Sequence, residues 1–216
     1  MADTPPLPRS AAVPSGASPL FLDWLGPVAV LVPVKSFSEA KVRLAPALPP
    51  AERAALARWM GAAVLAAAAP LPVAVVCDDV EVASWARELG ALVVWEPGRG
   101  LNGAVEAGVE ELRRAGVGRV IVAHADLPRA AGLAGLAAGS GVTLVPDRRR
   151  DGTNVAIVPA GAGFRFSYGP GSFARHQAEG GRLGLVVRTV EDPLLAFDVD
   201  WPADLVGLDA QPCGAT

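Results

Sequence analysis

The chain has 216 residues, a formal net charge of −3, 51% apolar residues and only two cysteines. This length and apolar content suffice for one domain with a substantial core, and they exclude a chain that is disordered throughout. The acidic balance offers no basic surface to a nucleic acid, and two distant cysteines indicate neither a disulfide framework nor a cysteine metal site. The longest apolar stretch contains Arg58 and is cut by Pro70 and Pro72, so no membrane span is expected. We expect a cytoplasmic protein without nucleic-acid or membrane partners.

The first 26 residues differ in composition from the rest of the chain. They are rich in Pro, Ser and Ala, and they lack the basic start and the long apolar segment of a signal peptide. We therefore predict a disordered tail at residues 1–26 and a domain at residues 27–210.

Short β-branched runs alternate with helical patterns through this domain. Strands are predicted at residues 28–34, 73–79, 91–95, 120–123, 142–146, 155–159, 184–190 and 197–200. Helices are predicted at residues 50–69, 80–90, 103–115, 130–138, 172–179 and 202–208. This alternation predicts a single-domain α/β fold with a mostly parallel sheet flanked by helices.

Three aspartates lie where predicted strands end. Asp126 follows the apolar run at residues 120–123, and Asp198 and Asp200 lie in the segment FDVD. Ligands of open α/β sheets bind at the carboxyl ends of the strands, and carboxylates suit a hard divalent cation such as Mg²⁺. Alternate strand residues share a face, but a shared site with Asp126 requires the chain to bend near residues 198–200. The alternative is a helix cap at Asp126 and two solvated turn residues.

Lysine is rare in this chain. Lysine and arginine together number 19, and only Lys35 and Lys41 are lysines. Both follow the first predicted strand, with Arg43 close behind, and the compact ammonium group suits phosphate oxygens. No glycine pattern of a P-loop precedes them. The alternative is a solvated charged loop.

A glycine-rich turn precedes the predicted helix at residues 172–179. Gly169 and Gly171 permit close approach of a ligand to the backbone, and Ser172 lies at the helix N-terminus, where free N–H groups favour an anion. Thr153, in the segment DGTN, is a candidate hydroxyl partner for the same anion. A capped turn without a ligand is the alternative.

Other polar residues carry weaker signals. Asn102 is placed to cap the helix at residues 103–115, and Asp78 or Asp79 could pair with a nucleotide base at the end of a strand. His124 shares a strand face with Asp126, and His176 is expected to pack within its helix. Neither histidine is arranged with a serine or cysteine for covalent catalysis.

Six motifs together resemble one enzyme family. In order they resemble motifs of the 2-phospho-L-lactate guanylyltransferase family, which includes phosphoenolpyruvate guanylyltransferase and serves the biosynthesis of the deazaflavin coenzyme F-420. The resemblance covers about residues 28–208. The motifs are PVKSFSEAKVRLAP, GLNGAV, ADLP, DRRRDGTN, YGPGSFARH and FDVDWPADL.

The resemblance implies a nucleotidyltransferase fold of the glycosyltransferase-A-like kind and a GTP-dependent reaction that releases pyrophosphate. It implies that Asp126, Asp198 and Asp200 hold Mg²⁺ and act in catalysis together with Lys41. The acceptor would lie against Thr153, Gly169 and Ser172. The nucleotide would lie against Lys35, Lys41, Arg43 and Asn102.

Several alternatives stay open. The acceptor could be phosphoenolpyruvate, 2-phospholactate or 3-phosphoglycerate, and a labile product could pass directly to the next enzyme. A molybdenum-cofactor or sugar-phosphate nucleotidyltransferase is the nearest rival, although such enzymes usually carry a glycine-rich loop after the first strand. A non-catalytic nucleotide-binding protein of the same fold is a rival from a different class.

Overall fold

A seven-stranded sheet organises residues 25–208, which are the residues that the computed structural model describes. The tail predicted at residues 1–26 therefore lies almost wholly outside the described residues. The strands are β1 Val28–Pro33, β2 Val73–Cys77, β3 Leu92–Trp95, β4 Arg119–Ala123, β5 Val142–Pro146, β6 Thr153–Pro159 and β7 Val187–Thr189. The helices are α1 Pro50–Ala67, α2 Val80–Glu88, α3 Gly100–Arg114, α4 Ser172–Arg182 and α5 Pro202–Leu205.

The strand order is β3-β2-β1-β4-β6-β5-β7. All neighbouring strands are parallel except that β6 runs antiparallel to both β4 and β5. This confirms the predicted α/β fold with a mostly parallel sheet. Because β6 is reversed, its first residue, Thr153, lies at the same edge of the sheet as the last residues of β4.

Two hydrophobic layers enclose the sheet because its strands are apolar on both faces. Val30 and Val32 point to the layer that contains α1 and α2, and Ala29 and Leu31 point to the layer that contains α3 and part of α4. Helix α3 approaches β1 closely, since a Cβ atom at Gly108 would lie 2.7 Å from a Leu31 methyl carbon. The helices thus cover both faces and leave the strand ends open to ligands.

The structure corrects several predicted boundaries. Residues 197–200 are not a strand, and the helix predicted at residues 130–138 is a short 3-10 segment, Leu133–Ala137. Helix α4 continues through Gly180, where a Cβ atom would lie 2.4 Å from Val187 of β7, and the left-handed Gly184 follows its end. Gly180 is therefore a packing glycine, and the predicted end of this helix is wrong.

Candidate active site

A bend at residues 198–201 brings the three aspartates to one place beyond β4. The Val199 N–H donates to the carbonyl oxygen of Asp126 at 3.2 Å. The buried Asp204 carboxylate accepts the N–H groups of Asp200 at 2.9 Å and Trp201 at 2.8 Å. Asp198, Asp200 and Asp126 line a common cavity as a result. The segment predicted as a strand is thus the bend that a shared site requires.

Lys41 is tied to two of these acids. Its Nζ lies 2.6 Å from Asp126 Oδ2 and 2.9 Å from Asp200 Oδ1, and its side chain is 11% exposed. Burial alone would lower the pKa of Lys41, but the charges of Asp126 and Asp200 outweigh burial and raise it. Arg43 contacts the other oxygen of Asp200 at 3.0 Å. Lys41 and Arg43 therefore neutralise Asp126 and Asp200.

Asp198 differs from its neighbours because no cation pairs with its carboxylate among residues 25–208. Burial, followed by the nearby charges of Asp126 and Asp200, raises the pKa of Asp198 to about 6. Burial would also raise the pKa of Asp126, but Lys41 lowers it instead. Asp126 Oδ1 is buried without a hydrogen-bond partner in the described part of the chain.

The raised pKa of Asp198 predicts a pH-dependent stability. Between about pH 6 and pH 4 the folded protein binds this proton more tightly than the unfolded chain does, so this group favours folding as the pH falls. Asp198→Asn should be about 1 kcal/mol more stable than wild type at pH 7.5. The difference should shrink toward zero near pH 4 in urea unfolding with EDTA. A difference that is constant with pH would contradict the raised pKa.

The donor set at this site fits a hard cation only in part. Within residues 25–208 no group of three His, Cys, Asp or Glu side chains converges as metal ligands. Lys41 explains why the aspartates do not converge as ligands, because its ammonium group lies between Asp126 and Asp200. The free Asp126 Oδ1 and the unpaired Asp198 carboxylate are still oxygen donors of the kind that Mg²⁺ takes together with water and substrate phosphates.

Most of the predicted site residues share one cavity of about 240 Å³. Its lining includes residues predicted for the metal, for the acceptor and for the nucleotide, which come from distant parts of the sequence. They are Arg43, Asp126, Thr153, Gly169, Ser172, Asp198 and Asp200. Lys41 joins this set through its bonds to Asp126 and Asp200.

The glycine-rich turn is held by protein contacts on several sides. The Gly171 N–H donates to Asp151 Oδ1 at 3.0 Å, and Gly169 has a left-handed φ of 110°. The Ser172 N–H donates to the Gly169 carbonyl oxygen at 3.0 Å, and the Phe173 N–H donates to the Asp151 carbonyl oxygen at 3.0 Å. These amides are therefore not free, and the predicted anion site built on them is wrong. Ser172 can contact a ligand only through its side chain.

Asn102 supports the same turn instead of capping a helix. Helix α3 begins at Gly100, which places Asn102 inside its first turn. The Asn102 side-chain oxygen accepts the Tyr168 N–H at 2.7 Å. The predicted cap is thus wrong, and direct contact of Asn102 with the nucleotide stays a prediction.

Two further polar predictions lie away from the cavity. Lys35 is exposed and forms no ion pair with residues 25–208, so its nucleotide contact also stays a prediction. The Asp79 side chain caps α2, where it accepts the N–H groups of Glu81 at 2.9 Å and Val82 at 3.1 Å. The Asp79 carboxylate is therefore engaged as a helix cap, and only Asp78 remains exposed beside it.

Tyr168 was missed as a cavity residue, and His124 was noted only because it shares a strand face with Asp126. Both line the cavity, and their rings meet edge to face with centroids 4.6 Å apart. The Tyr168 hydroxyl and His124 Nε2 are buried without hydrogen-bond partners among the described residues. Burial raises the pKa of Tyr168 and lowers that of His124, which keeps both groups neutral. The available sequence signal was the single tyrosine of the chain, which follows Phe164 and Phe166 at alternate positions.

The unpartnered hydroxyl predicts a stabilising substitution. Tyr168→Phe removes a buried polar group and keeps the ring, so the free protein should gain about 1 kcal/mol, or about 2–4 °C in melting temperature. Tyr168→Leu should lose stability because it also removes the aromatic contacts. Differential scanning calorimetry would measure both variants. A lower melting temperature for Tyr168→Phe would show that the hydroxyl has a partner in solution.

Comparison with known proteins assigns the chain to a family. Residues 28–209 match the family described as guanylyl transferase CofC like. The chain belongs to the CofC-like guanylyltransferase family. This confirms the resemblance inferred from the six motifs.

Relatives within the CofC-like family align over most of their length. A phosphoenolpyruvate guanylyltransferase of Sphaerobacter thermophilus is 39% identical, over 86% of this chain and 95% of the relative. One from Rubrobacter xylanophilus is 40% identical, over 85% of this chain and 94% of the relative. A solved nucleotidyl transferase from Methanothermobacter has a TM-score of 0.59 at 17% identity and covers 85% of this chain and 96% of its own. The solved structure supports the fold alone.

In residues 25–208, no helix combines the length and the apolar character needed to cross a bilayer.

Proposed function

We propose that this CofC-like guanylyltransferase transfers GMP from GTP to the phosphate of a three-carbon phospho-acid, with phosphoenolpyruvate as the favoured acceptor. The observation that carries the proposal is the shared cavity, in which Asp126, Asp198 and Asp200 face Thr153 and Ser172. Relatives that are 39% and 40% identical are named phosphoenolpyruvate guanylyltransferases, which supports the choice of acceptor.

The proposed reaction needs no nucleophile from the protein. The acceptor phosphate is already an anion, and its oxygen would attack the α-phosphorus of GTP while pyrophosphate leaves. The chain's contribution would be positioning and charge neutralisation. Lys41 and Arg43 would provide positive charge beside the acids. Thr153 and Ser172 would orient the acceptor.

Mg²⁺ is proposed as the cofactor. The free oxygen of Asp126 and the carboxylate of Asp198 would hold it, with Asp200 as a third candidate ligand. When bound, Mg²⁺ would neutralise developing charge on the phosphates. Asp200 would have to share its carboxylate with Lys41 and Arg43, so the ligand set of three aspartates remains a proposal.

The wider setting is also proposed. We infer a cytoplasmic role in the biosynthesis of coenzyme F-420, in which a labile product passes to a following enzyme. The support is the family assignment, since the chemistry of the cavity does not identify the following enzyme.

An end-point assay tests the proposal. Purified protein would be incubated with GTP, Mg²⁺ and phosphoenolpyruvate, 2-phospholactate, 3-phosphoglycerate or a sugar phosphate, and pyrophosphate and product mass would be measured. A trapping partner enzyme would be included to capture a labile product. We expect guanylylated phosphoenolpyruvate as the main product, and loss of turnover with EDTA. Turnover with only the sugar phosphate, or GTP binding without any turnover, would contradict the proposal.

A further inference from the structure

His176 connects two segments that line the cavity. It lies in α4 and is fully buried. Its Nε2 accepts the Ser167 backbone N–H at 2.9 Å, and its Nδ1 lies 2.9 Å from Thr153 Oγ1. Ser167 begins the segment that leads to Gly169, and Thr153 begins β6. One imidazole ring therefore joins the turn and the strand that present the proposed acceptor residues.

The two hydrogen bonds fix the tautomer of the His176 ring. A backbone N–H can only donate, so Nε2 must be the unprotonated nitrogen and the ring proton must lie on Nδ1. Nδ1–H therefore donates to Thr153 Oγ1. Because this oxygen already accepts a hydrogen bond from His176, the hydroxyl hydrogen of Thr153 is free to donate to a group in the cavity. Burial, together with the positive charge of Arg175, lowers the pKa of His176 to about 4, which keeps this arrangement neutral.

Packing alone does not require a histidine here. Phe164, Phe166 and Tyr168 surround the ring, with centroids 5.7, 6.0 and 4.9 Å away. A phenylalanine would suit such an aromatic setting. The two nitrogens of His176 are what distinguish it, and both are bonded to segments that lead to the cavity.

We propose that His176 is a positioning residue that makes the Thr153 hydroxyl a hydrogen-bond donor to the anionic end of the acceptor and holds the glycine-rich turn in place. This inference rests on the proposed function for the identity of the acceptor. The contacts of His176 themselves do not depend on it.

Three substitutions of His176 separate the two bonds. In His176→Asn the side-chain amide can replace Nδ1 as the donor to Thr153. In His176→Gln the side-chain amide can replace Nε2 as the acceptor from Ser167. His176→Phe removes both bonds. We expect the KM for phosphoenolpyruvate to rise about 10-fold or more in His176→Phe and His176→Gln, and only a few-fold in His176→Asn. The KM for GTP should stay within about two-fold of wild type. Equal increases for both substrates, parallel to a loss of melting temperature, would overturn the positioning role.

Thr153→Val tests whether His176 acts through Thr153. If it does, Thr153→Val combined with His176→Gln should be little worse than Thr153→Val alone, because His176→Gln removes only the bond to Thr153, which Thr153→Val has already removed. If the increases in KM for phosphoenolpyruvate from the two changes multiply independently, the inference is overturned.

Nuclear magnetic resonance provides a readout that needs no activity. The chain has two histidines, so long-range ¹H–¹⁵N spectra of protein labelled with ¹⁵N-histidine should be simple to assign with His176→Asn as reference. We expect the Nδ1–H tautomer at His176, and an Nε2–H tautomer would overturn the inference. If the tautomer is confirmed but wild type transfers no guanylyl group, the proposed function fails and the hydrogen-bond arrangement stands.

Discussion

Asp126→Asn and Asp198→Asn are each expected to reduce guanylyl transfer on the order of 10³-fold, while changing stability in opposite directions. Both carboxylates face the proposed reaction, so each loss would remove negative charge where the phosphates and the proposed cation would meet. Asp126 also pairs with the buried ammonium of Lys41 at 2.6 Å, and its loss should destabilise the protein. Asp198 has no such partner in the described part of the chain, and its loss should relieve repulsion.

The measurements are turnover with GTP and phosphoenolpyruvate, and unfolding in urea without divalent cations. Glu111→Gln, an exposed change on α3, is the matched control and should leave both quantities near wild type. Turnover above about a tenth of wild type in folded Asp198→Asn would contradict its role in the proposed chemistry. Equal destabilisation by both aspartate changes would contradict the ion pairing described for Lys41.

Lys41→Met is expected to lose both activity and stability. Its removal leaves Asp126 as a buried charge without a partner, and breaking such a pair costs about 3 kcal/mol. Turnover should fall on the order of 10²-fold or more because positive charge is lost beside the phosphates. Arg87→Met, on the exposed surface of α2, is the control for loss of a cation.

The double variant of Lys41→Met with Asp126→Asn distinguishes structure from chemistry. Neutralising Asp126 removes the unpaired charge, so part of the stability lost in Lys41→Met should return. Turnover of the double variant should fall below that of Asp126→Asn alone, since both groups are proposed to act on the substrates. Turnover equal to that of Asp126→Asn alone would show that Lys41 serves the fold alone.

The strand pattern of the sheet was predictable because its apolar runs are short and separated by turns. The position of Asp126 was predictable for the same reason, since it follows the point where the apolar run of β4 stops. The shape of residues 197–200 was not predictable, because the buried Phe197 and Val199 alternate with acids as they would in a strand. Hydrogen bonds from Asp200 and Trp201 to Asp204 impose the bend, and such tertiary bonds leave no periodic signal.

The hydrogen-bond partners of individual side chains could not be predicted from the sequence either. Asn102 was placed as a cap from its position near a helix start, but its oxygen accepts the N–H of Tyr168, which is 66 residues away. His176 looked like a packing residue in a helix, and its polar bonds to Thr153 and Ser167 depend on how α4 lies against β6. Sequence spacing indicates which residues meet at a sheet edge, but it does not assign their hydrogen bonds.

The reversed strand β6 has a consequence for how acceptor choice can evolve. Thr153 comes from the hairpin of β5 and β6, and Ser172 comes from the segment after it, whereas Lys41 and Asp126 follow the parallel strands β1 and β4. Under the proposed function, substitutions in the hairpin and its following turn would alter the acceptor without rebuilding the parallel half. Such a division would let the proposed nucleotide-binding half stay unchanged while a single contiguous segment adapts to different small phospho-acids.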